Sequence, residues 1–561
     1  MKSPPGRSKK SAMKLALAQL NFVVGDIEGN SRKISEAISA SADAGVDLVA
    51  FSELSVTGYP PRDLLRKEQF VLDSVRATES LAGQCKSVAA LVGYVRPNPS
   101  GSGLRLQNAA ALLADGVVKH VHVKALLPSY DVFDETRYFE PGKTKDCVKI
   151  AGHKVGLAVC EDLWDTQALG GKLYDQDPIE ALAGAGADII VNMSASPFEM
   201  GKADKKAELF SRQAMKSQAA IAYINQVGGN DELVFDGASC FVSAEGKLLA
   251  RAASFTEDLL ILDTAATASR QEPLAEPMER VCAALKLGLR DYAAKCGFTS
   301  VVLGLSGGID SAIVAAIAAD AIGPENVHAI AMPSRYSSPE SLKDAQELAG
   351  NLRIHCQVVP IESMHAAFES SLGRTFTGSS GEIAAENIQA RIRGNIVMAV
   401  SNAGGHLALA TGNKSELSTG YCTLYGDMCG GLAVIGDLLK TSVYDLAEQL
   451  NREAGWDRIP RAIIDKPPTA ELKPGQLDQD RLPPYDILDS ILSRYVEGNQ
   501  TTRQIVAAGL DEQTVRRVVS MVDSAEYKRQ QAAPVLKVTA RAFGSGRRMP
   551  IAQGYLRSSG G

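Results

Sequence analysis

At 561 residues, 45% hydrophobic and 22% charged, the chain has the composition of a folded globular protein and is too long for one ordinary core, so two domains are expected. Its 59 basic against 65 acidic residues leave a formal charge of −6 and no case for a general nucleic-acid binder, and no apolar run reaches the length of a membrane span. The one basic cluster, within a tail over residues 1–12, has no apolar run after it and does not read as a secretory signal. Nine scattered cysteines and seven histidines without metal spacing fit a cytoplasmic protein with free thiols.

From residue 13 to 263 short apolar runs alternate with amphipathic stretches, which predicts α/β layering. Strands are expected over 15–20, 48–51, 90–95, 109–113, 155–159, 189–191 and 220–224, with a helix over 30–44. His120 and His122 alternate in another strand and read as structural. Three chemically capable residues end or follow apolar strands, where loops over a sheet edge carry function. Glu53 follows Phe51-Ser52, where partial desolvation suits it to take a proton near neutrality. Lys124 ends the run Val121-His122-Val123. Cys160 ends Val155-Gly156-Leu157-Ala158-Val159, and beside a base and an ammonium its thiol can become thiolate and attack a carbonyl carbon. Lysine and a backbone N–H would hold the resulting oxyanion.

Residues 264–277 are short, polar and proline-bearing, and read as a linker. A helix over 279–296 leads into Val301-Val302-Leu303-Gly304-Leu305-Ser306-Gly307-Gly308-Ile309-Asp310-Ser311 and an alanine-rich run over 312–319, a strand, loop and helix. Two glycines let backbone N–H groups close on an anion at the new helix's N-terminus, and Ser306 and Ser311 add hydroxyls. Asp310 beside a bound phosphate requires a cation such as Mg²⁺ between them. A strand over 327–332 precedes the loop Pro333-Ser334-Arg335-Tyr336-Ser337-Ser338, suited to contact a nucleotide. Asn387, Ala390 and Arg391 fall on adjoining turns of a helix, so an amide and a guanidinium face one ligand. A strand over 407–410 ends in Thr411-Gly412-Asn413-Lys414-Ser415-Glu416, whose glutamate is available to share Mg²⁺ with Asp310. Lys440 is placed to neutralise a departing pyrophosphate. By composition, 497–561 reads as a helical tail with a flexible end.

In the order Glu53, Lys124, Cys160, and with Phe133-Asp134-Glu135-Thr136-Arg137-Tyr138-Phe139 between them, the first half resembles the nitrilase (carbon–nitrogen hydrolase) superfamily. That resemblance implies an αββα sandwich over 13–263, a catalytic triad in that order, and Glu135 as support for Lys124 and for substrate positioning. The loop Ser306 to Ser311 resembles the pyrophosphate loop of the ATP-pyrophosphatase families, and it lacks the lysine of a Walker A loop. Together, 13 to about 550 resembles the bacterial glutamine-dependent NAD synthetase family.

What the family resemblance implies can be stated residue by residue. Glutamine falls to Tyr130, Glu161, Ser196 and Lys202. ATP, a co-substrate, falls to Ser306, Gly307, Gly308, Ile309, Asp310, Ser311, Thr411 and Lys440. Mg²⁺ falls to Asp310 and Glu416, and deamido-NAD to Asn387, Glu416 and Lys528. Residues 278–561 would form a Rossmann-like parallel sheet of the adenine nucleotide α-hydrolase type, with Arg547-Arg548 and Pro550-Ile551 in a C-terminal arm. A homo-oligomer is implied as well; a protected passage for ammonia is expected because free ammonia is mostly ammonium at neutral pH. Two other readings stay open on the residues alone: another glutamine-dependent, AMP-forming amide ligase, and a non-catalytic nucleotide sensor, which would have lost catalytic residues that are all present here.

Overall fold

Alternation along the first strands decides how the N-terminal half is layered. In Lys14–Gln19 the side chains of Leu15 and Leu17 enter one apolar cluster and those of Ala16 and Ala18 another; Leu48 and Ala50, then Val49 and Phe51, divide the same way. A strand buried on both faces must sit between two layers. The computed structural model describes residues 12–143, 147–164, 173–373 and 378–555. The basic tail therefore lies, Ala12 apart, outside the described residues. The chain divides into two units, one running to Asn230 and including Val234–Ala275, the other taking Asp231–Leu233 and everything from Glu276.

The first unit contains two six-stranded sheets. One orders Asp258–Asp263, Lys14–Gln19, Leu48–Phe51, Ala89–Pro97, Leu106–Ala114 and Val117–Val123; the other orders Leu248–Arg251, Cys240–Val242, Ala220–Asn225, Ile189–Ser194, His153–Val159 and Cys147–Ile150. Leu15, Leu17 and Leu91 of the first pack with Val155, Leu157, Val191 and Ile224 of the second in a shared core. The helices Ile27–Asp43 and Glu68–Ala82 cover the outer face of one sheet, and Pro178–Gly184 and Lys202–Ser217 that of the other. The layers run α, β, β, α, the expected sandwich. Gly93 lets its strand lie against the loop after Phe51: a Cβ there would stand 2.4 Å from Leu54 N and 2.6 Å from Ser52 O.

The second unit is built on five parallel strands in the order His355–Val358, Val327–Ala331, Val301–Gly304, Leu407–Ala410, Leu432–Ala433. Strand order reverses between Val301–Gly304 and Leu407–Ala410, which is where open α/β sheets bind ligands beyond their C-terminal edge. The helix Ile309–Ile322 is apolar all round and buried from Ser311 to Ala319, as required of a helix enclosed between the sheet and the helices Pro277–Lys295 and Lys440–Ala454.

The C-terminal segment differs from the flexible tail expected. After the helices Thr502–Ala507, Glu512–Ser524 and Glu526–Arg529, the chain runs irregularly yet buried: Val535 bridges Ala433 at the sheet edge, and Leu536 and Val538 are fully enclosed. Buried Asp437 accepts from Val538 N at 2.8 Å and Thr539 N at 2.7 Å. Lys414, also buried, donates to Thr539 Oγ1 at 2.6 Å and Arg541 O at 2.9 Å, and pairs with Asp437 at 2.9 Å and Glu497 at 2.7 Å. Backbone groups satisfied by side chains distant in sequence replace a regular ladder here.

Candidate active sites

The strand ends of the first unit bring Glu53, Lys124 and Cys160 together with Glu135, which opens the short turn Glu135–Arg137; all four are buried. Lys124 Nζ lies 2.7 Å from Glu53 Oε1 and 2.8 Å from Glu135 Oε1. Glu53 also accepts from Asn108 Nδ2 at 2.7 Å and, through Oε2, from Ala195 N at 3.3 Å; Glu135 Oε1 accepts from Tyr59 OH at 2.9 Å. Glu135 is thus a buried partner of Lys124 and not a surface carboxylate paired with Arg137. Burial pushes its carboxyl up to about 7, the nearby ammonium only partly offsetting that. Burial works against the Lys124 ammonium, but the Glu135 and Glu53 carboxylates outweigh it and hold the group well above its usual range.

Cys160 adopts a left-handed backbone conformation, φ 45°, at the strand end, which costs a non-glycine residue about 1 kcal/mol. Its neighbours hold it there. Asp162 Oδ2 accepts from Val159 N at 2.9 Å, while Oδ1 accepts from Ala125 N at 3.0 Å and Leu126 N at 2.8 Å, tying the cysteine turn to the segment after Lys124. Asn192 Nδ2 donates to Cys160 O at 3.2 Å. The surroundings say how the thiolate would have to be made. Burial, and then Glu53, push the Cys160 thiol well above its ordinary value, and Lys124, already shared by two carboxylates, offsets only part of that. The surroundings thus favour the protonated sulfur, and a carboxylate, Glu53, is near enough to act on it electrostatically and serve as the base.

Of the residues assigned to glutamine, Tyr130 OH donates to both Glu161 oxygens at 3.0 Å and Tyr174 OH to Oε1 at 3.1 Å. Burial raises the Glu161 carboxyl, against the pull of Lys124 and these hydroxyls. Ser196 is buried, with its N and O both on the Asn225 amide. Lys202, at the start of its helix, donates to Pro197 O at 3.3 Å and stands 5.7 Å from the Trp164 ring centroid.

In the second unit a cavity of about 320 Å³ opens at the sheet's C-terminal edge, lined by Ser306 to Ser311, Thr411, Glu416 and Lys440. Gly307, at φ +79°, has no room for a side chain, since a Cβ would fall 2.2 Å from Ser341 O. The two loop hydroxyls brace the turn: Ser311 Oγ donates to Gly308 O at 3.0 Å and lies 3.1 Å from Ser306 Oγ, which accepts from Gly308 N at 3.2 Å. Lys440 Nζ pairs with Asp310 Oδ2 and lies 3.9 Å from Glu416 Oε1. Asn413 caps the helix Lys414–Thr419, accepting from Glu416 N at 3.0 Å, and its Nδ2 donates to Asp310 Oδ1 at 3.0 Å. Burial, then repulsion from Asp310, hold the Glu416 carboxyl well above its usual range, with Lys440 opposing.

Asn387 and Lys528 stand behind this cavity's wall. Asn387 Oδ1 accepts from Thr423 Oγ1 at 2.8 Å, and Lys528 Nζ donates to Gly420 O at 2.7 Å and Cys422 O at 2.6 Å; Tyr421, Cys422, Gly426 and Asp427 form the lining between them. On the helix Gly378–Gly404 it is Arg393, not Arg391, that lines the cavity, while Arg391 Nε donates to Leu424 O at 3.2 Å. Burial brings the Arg393 guanidinium down to about 10 and Asp427 up to about 6. Sequence reasoning missed Asn108, Tyr59 and Asn413. Only Asn413 left a readable signal, the Asn-x-x-Glu capping pattern ending at Glu416.

Residues 14–271 match the carbon–nitrogen hydrolase family and residues 281–532 the NAD synthase family. A glutamine-dependent NAD(+) synthetase of Synechocystis sp. is 46% identical over 552 residues, covering 96% of this chain and 99% of its own. The chain belongs to the glutamine-dependent NAD(+) synthetase family. The Thermotoga maritima member is 41% identical, covering 96% of this chain and 98% of its own. A solved glutamine-dependent NAD(+) synthetase of Acinetobacter baumannii, in complex with ADP, superposes with a TM-score of 0.77 at 38% identity, over 97% of this chain and 99% of that one. Membership in the glutamine-dependent NAD(+) synthetase family makes the chain a carbon–nitrogen ligase and sets aside the amide-ligase and sensor alternatives.

Proposed function

We propose that the protein amidates deamido-NAD to NAD⁺ at the expense of ATP, through an adenylate, with ammonia released from glutamine in its first unit. The observation that carries this reading is the double engagement of Lys124 by Glu53 and Glu135 around Cys160, in a chain whose other half sets Asp310, Glu416 and Lys440 around a glycine-rich loop.

At the first site Glu53 takes the Cys160 proton as sulfur attacks the glutamine side-chain carbonyl carbon. Lys124 and a backbone N–H hold the oxyanion. Glu53 returns its proton to the departing nitrogen, and ammonia leaves a glutamyl thioester. Glu53 then deprotonates water, whose attack releases glutamate and restores the thiol. Tyr130, Glu161, Ser196 and Lys202 orient the substrate's α-amino and α-carboxylate ends. At the second site an oxygen of the nicotinate carboxylate attacks the α-phosphorus of ATP and pyrophosphate leaves toward Ser306 to Ser311 and Lys440; Asn387, Glu416 and Lys528 serve the dinucleotide. Ammonia then attacks the acyl carbon and AMP departs.

Among the described residues no group of three acidic, His or Cys side chains is gathered to hold a metal ion by itself. Asp310 and Glu416 nevertheless leave two carboxylates against one ammonium, a surplus of negative charge that suits a cation shared between them and substrate phosphates. Mg²⁺ held by Asp310 and Glu416 would supply charge neutralisation for the triphosphate. No helix among the described residues is long and apolar enough to cross a membrane; we place the protein in the cytoplasm and expect a homo-oligomer.

With amide-¹⁵N glutamine, ATP and deamido-NAD, the expected products by mass spectrometry are glutamate, AMP, pyrophosphate and NAD⁺ carrying one heavy nitrogen. Unlabelled NAD⁺ from that mixture would end the proposal.

The Glu135 carboxyl adds a pH signature. Pushed up to about 7, it binds a proton as pH falls through that value, and Lys124 then loses one of its two anionic partners. Glutamine-supported kcat/KM is expected to fall on the acidic side of pH 7. In Glu135→Gln it should be low and flat there, while ammonium-supported synthesis keeps the parent profile. An unmoved acidic limb in the variant would assign that limb to another group.

A further inference from the structure

Lys206, on the helix Lys202–Ser217, is 7% exposed, with Nζ 3.5 Å from Asp236 Oδ1 and 5.5 Å from the Tyr223 ring centroid. Asp236 is itself 4% exposed, and its Oδ1 also accepts from Asn225 Nδ2 at 3.2 Å. The Asn225 amide then closes on one residue from both sides: Oδ1 accepts from Ser196 N at 2.8 Å and Nδ2 donates to Ser196 O at 3.1 Å.

That clamp works in one orientation of the amide. A flipped Asn225 would set its NH₂ against Ser196 N–H and its carbonyl against Ser196 O, donor on donor and acceptor on acceptor. A side-chain amide has nearly the same shape either way, so the choice is left to its partners. Ser196 N–H and O select one orientation, and Asp236 reinforces it: a carboxylate accepts and does not donate, so it holds Nδ2 toward itself. A carboxylate this deeply buried needs a counter-charge, and Lys206 supplies one. Burial works against the Lys206 ammonium, and the Asp236 carboxylate outweighs it and raises the group above its ordinary value.

We propose that Lys206 is a positioning residue for glutamine: as counter-ion to Asp236 it keeps that carboxylate an acceptor, which locks the Asn225 amide in the orientation that clamps Ser196 and so steadies the placement of Ser196. The inference rests on the reading that Ser196 contacts glutamine. None of Lys206, Asp236 or Asn225 takes part in the bond-making steps, so the effect belongs in substrate affinity.

Lys206→Met is expected to raise the KM for glutamine about tenfold, roughly the worth of one misplaced hydrogen bond, with a smaller change in kcat and with ammonium-supported synthesis at the parent rate. Lys206→Arg, which keeps the charge, should hold KM within about twofold of the parent. The paired variant Lys206→Met/Asp236→Asn, which buries no unpaired charge, should recover most of the loss, because the carbonyl of the introduced asparagine can still accept from Asn225 Nδ2. Parent-like KM in Lys206→Met, or a paired variant no better than the single one, overturns the inference. Should Lys206→Met fail to fold, Lys206→Met/Asp236→Leu, which removes the acceptor facing Asn225 Nδ2, is set beside Lys206→Met/Asp236→Asn, which keeps it: a glutamine KM raised only in the leucine variant supports the inference, and equal KM values overturn it. Ser196→Ala with an unchanged glutamine KM would instead sink the reading beneath it.

Discussion

Cys160→Ala is expected to make NAD⁺ from glutamine at less than about a thousandth of the parent rate, and to make it from ammonium salts at the parent rate. The first half follows from what the sulfur supplies. Without it no thioester forms, and the remaining residues can only assist direct attack of water on a poorly electrophilic amide. The second half follows from how little the substitution disturbs. Lys124, Glu53 and Glu135 bond one another without the thiol, and the turn is held by Asp162 and by Asn192 on the Cys160 carbonyl, contacts that alanine retains. Loss of one buried sulfur atom costs about 1 kcal/mol, too little to unfold the unit. The measurement is NAD⁺ formation with each donor, ammonium being taken to saturation. Glutamine-supported turnover surviving in the variant would require a nucleophile other than Cys160. Ammonium failing to rescue would mean that the two chemistries are not separable, and the division of labour argued above would fall with it.

How much of this could be read in the sequence depended on whether the relevant physics was local. Glu53, Lys124 and Cys160 were legible because each ends or follows an apolar run that reads as a strand, where loops over a sheet edge carry function. That Lys124 meets Glu53 at 2.7 Å and Glu135 at 2.8 Å, beside buried Cys160, is a property of segments separated in sequence, expected from the family resemblance and not from any one run. How hard the Cys160 proton is to remove was not legible, because a local reading counts one ammonium and one base, whereas the buried site sets two carboxylates against that ammonium. The Arg391 and Arg393 reversal has a different cause. The helix Gly378–Gly404 lacks a strong apolar stripe, so nothing in the sequence fixes its rotation, and residues two apart point to nearly opposite sides. The buried arm after Arg529 was illegible for a third reason. It has no periodicity, and its backbone is satisfied by Asp437 and Lys414, about a hundred residues away. Asn413 alone was within reach, through its capping pattern.

Asp310→Asn is expected to abolish synthesis with glutamine and ammonium alike, by about a thousandfold or more, and not to recover at saturating Mg²⁺. Asparagine keeps the shape and the acceptor that Asn413 Nδ2 meets at 3.0 Å, so the loop and the helix behind it should persist. What disappears is one negative charge. In the parent, Asp310 and Glu416 share the single ammonium of Lys440, an arrangement that repels an incoming triphosphate unless a divalent cation lies between. The sign of the effect on binding is therefore diagnostic. Without metal, ATP should bind the variant more tightly than the parent, because a repelling carboxylate has gone; with Mg²⁺ the order should reverse, because a ligand for the cation has gone. Relieved of its neighbour's repulsion, the Glu416 carboxyl should also move back down toward its ordinary range. Calorimetric titration of ATP with and without Mg²⁺, set beside pyrophosphate release, reads both. A variant that loses ATP affinity equally in the presence and absence of Mg²⁺ would make Asp310 a structural residue of the loop, and one that turns over normally at high Mg²⁺ would remove it from the chemistry.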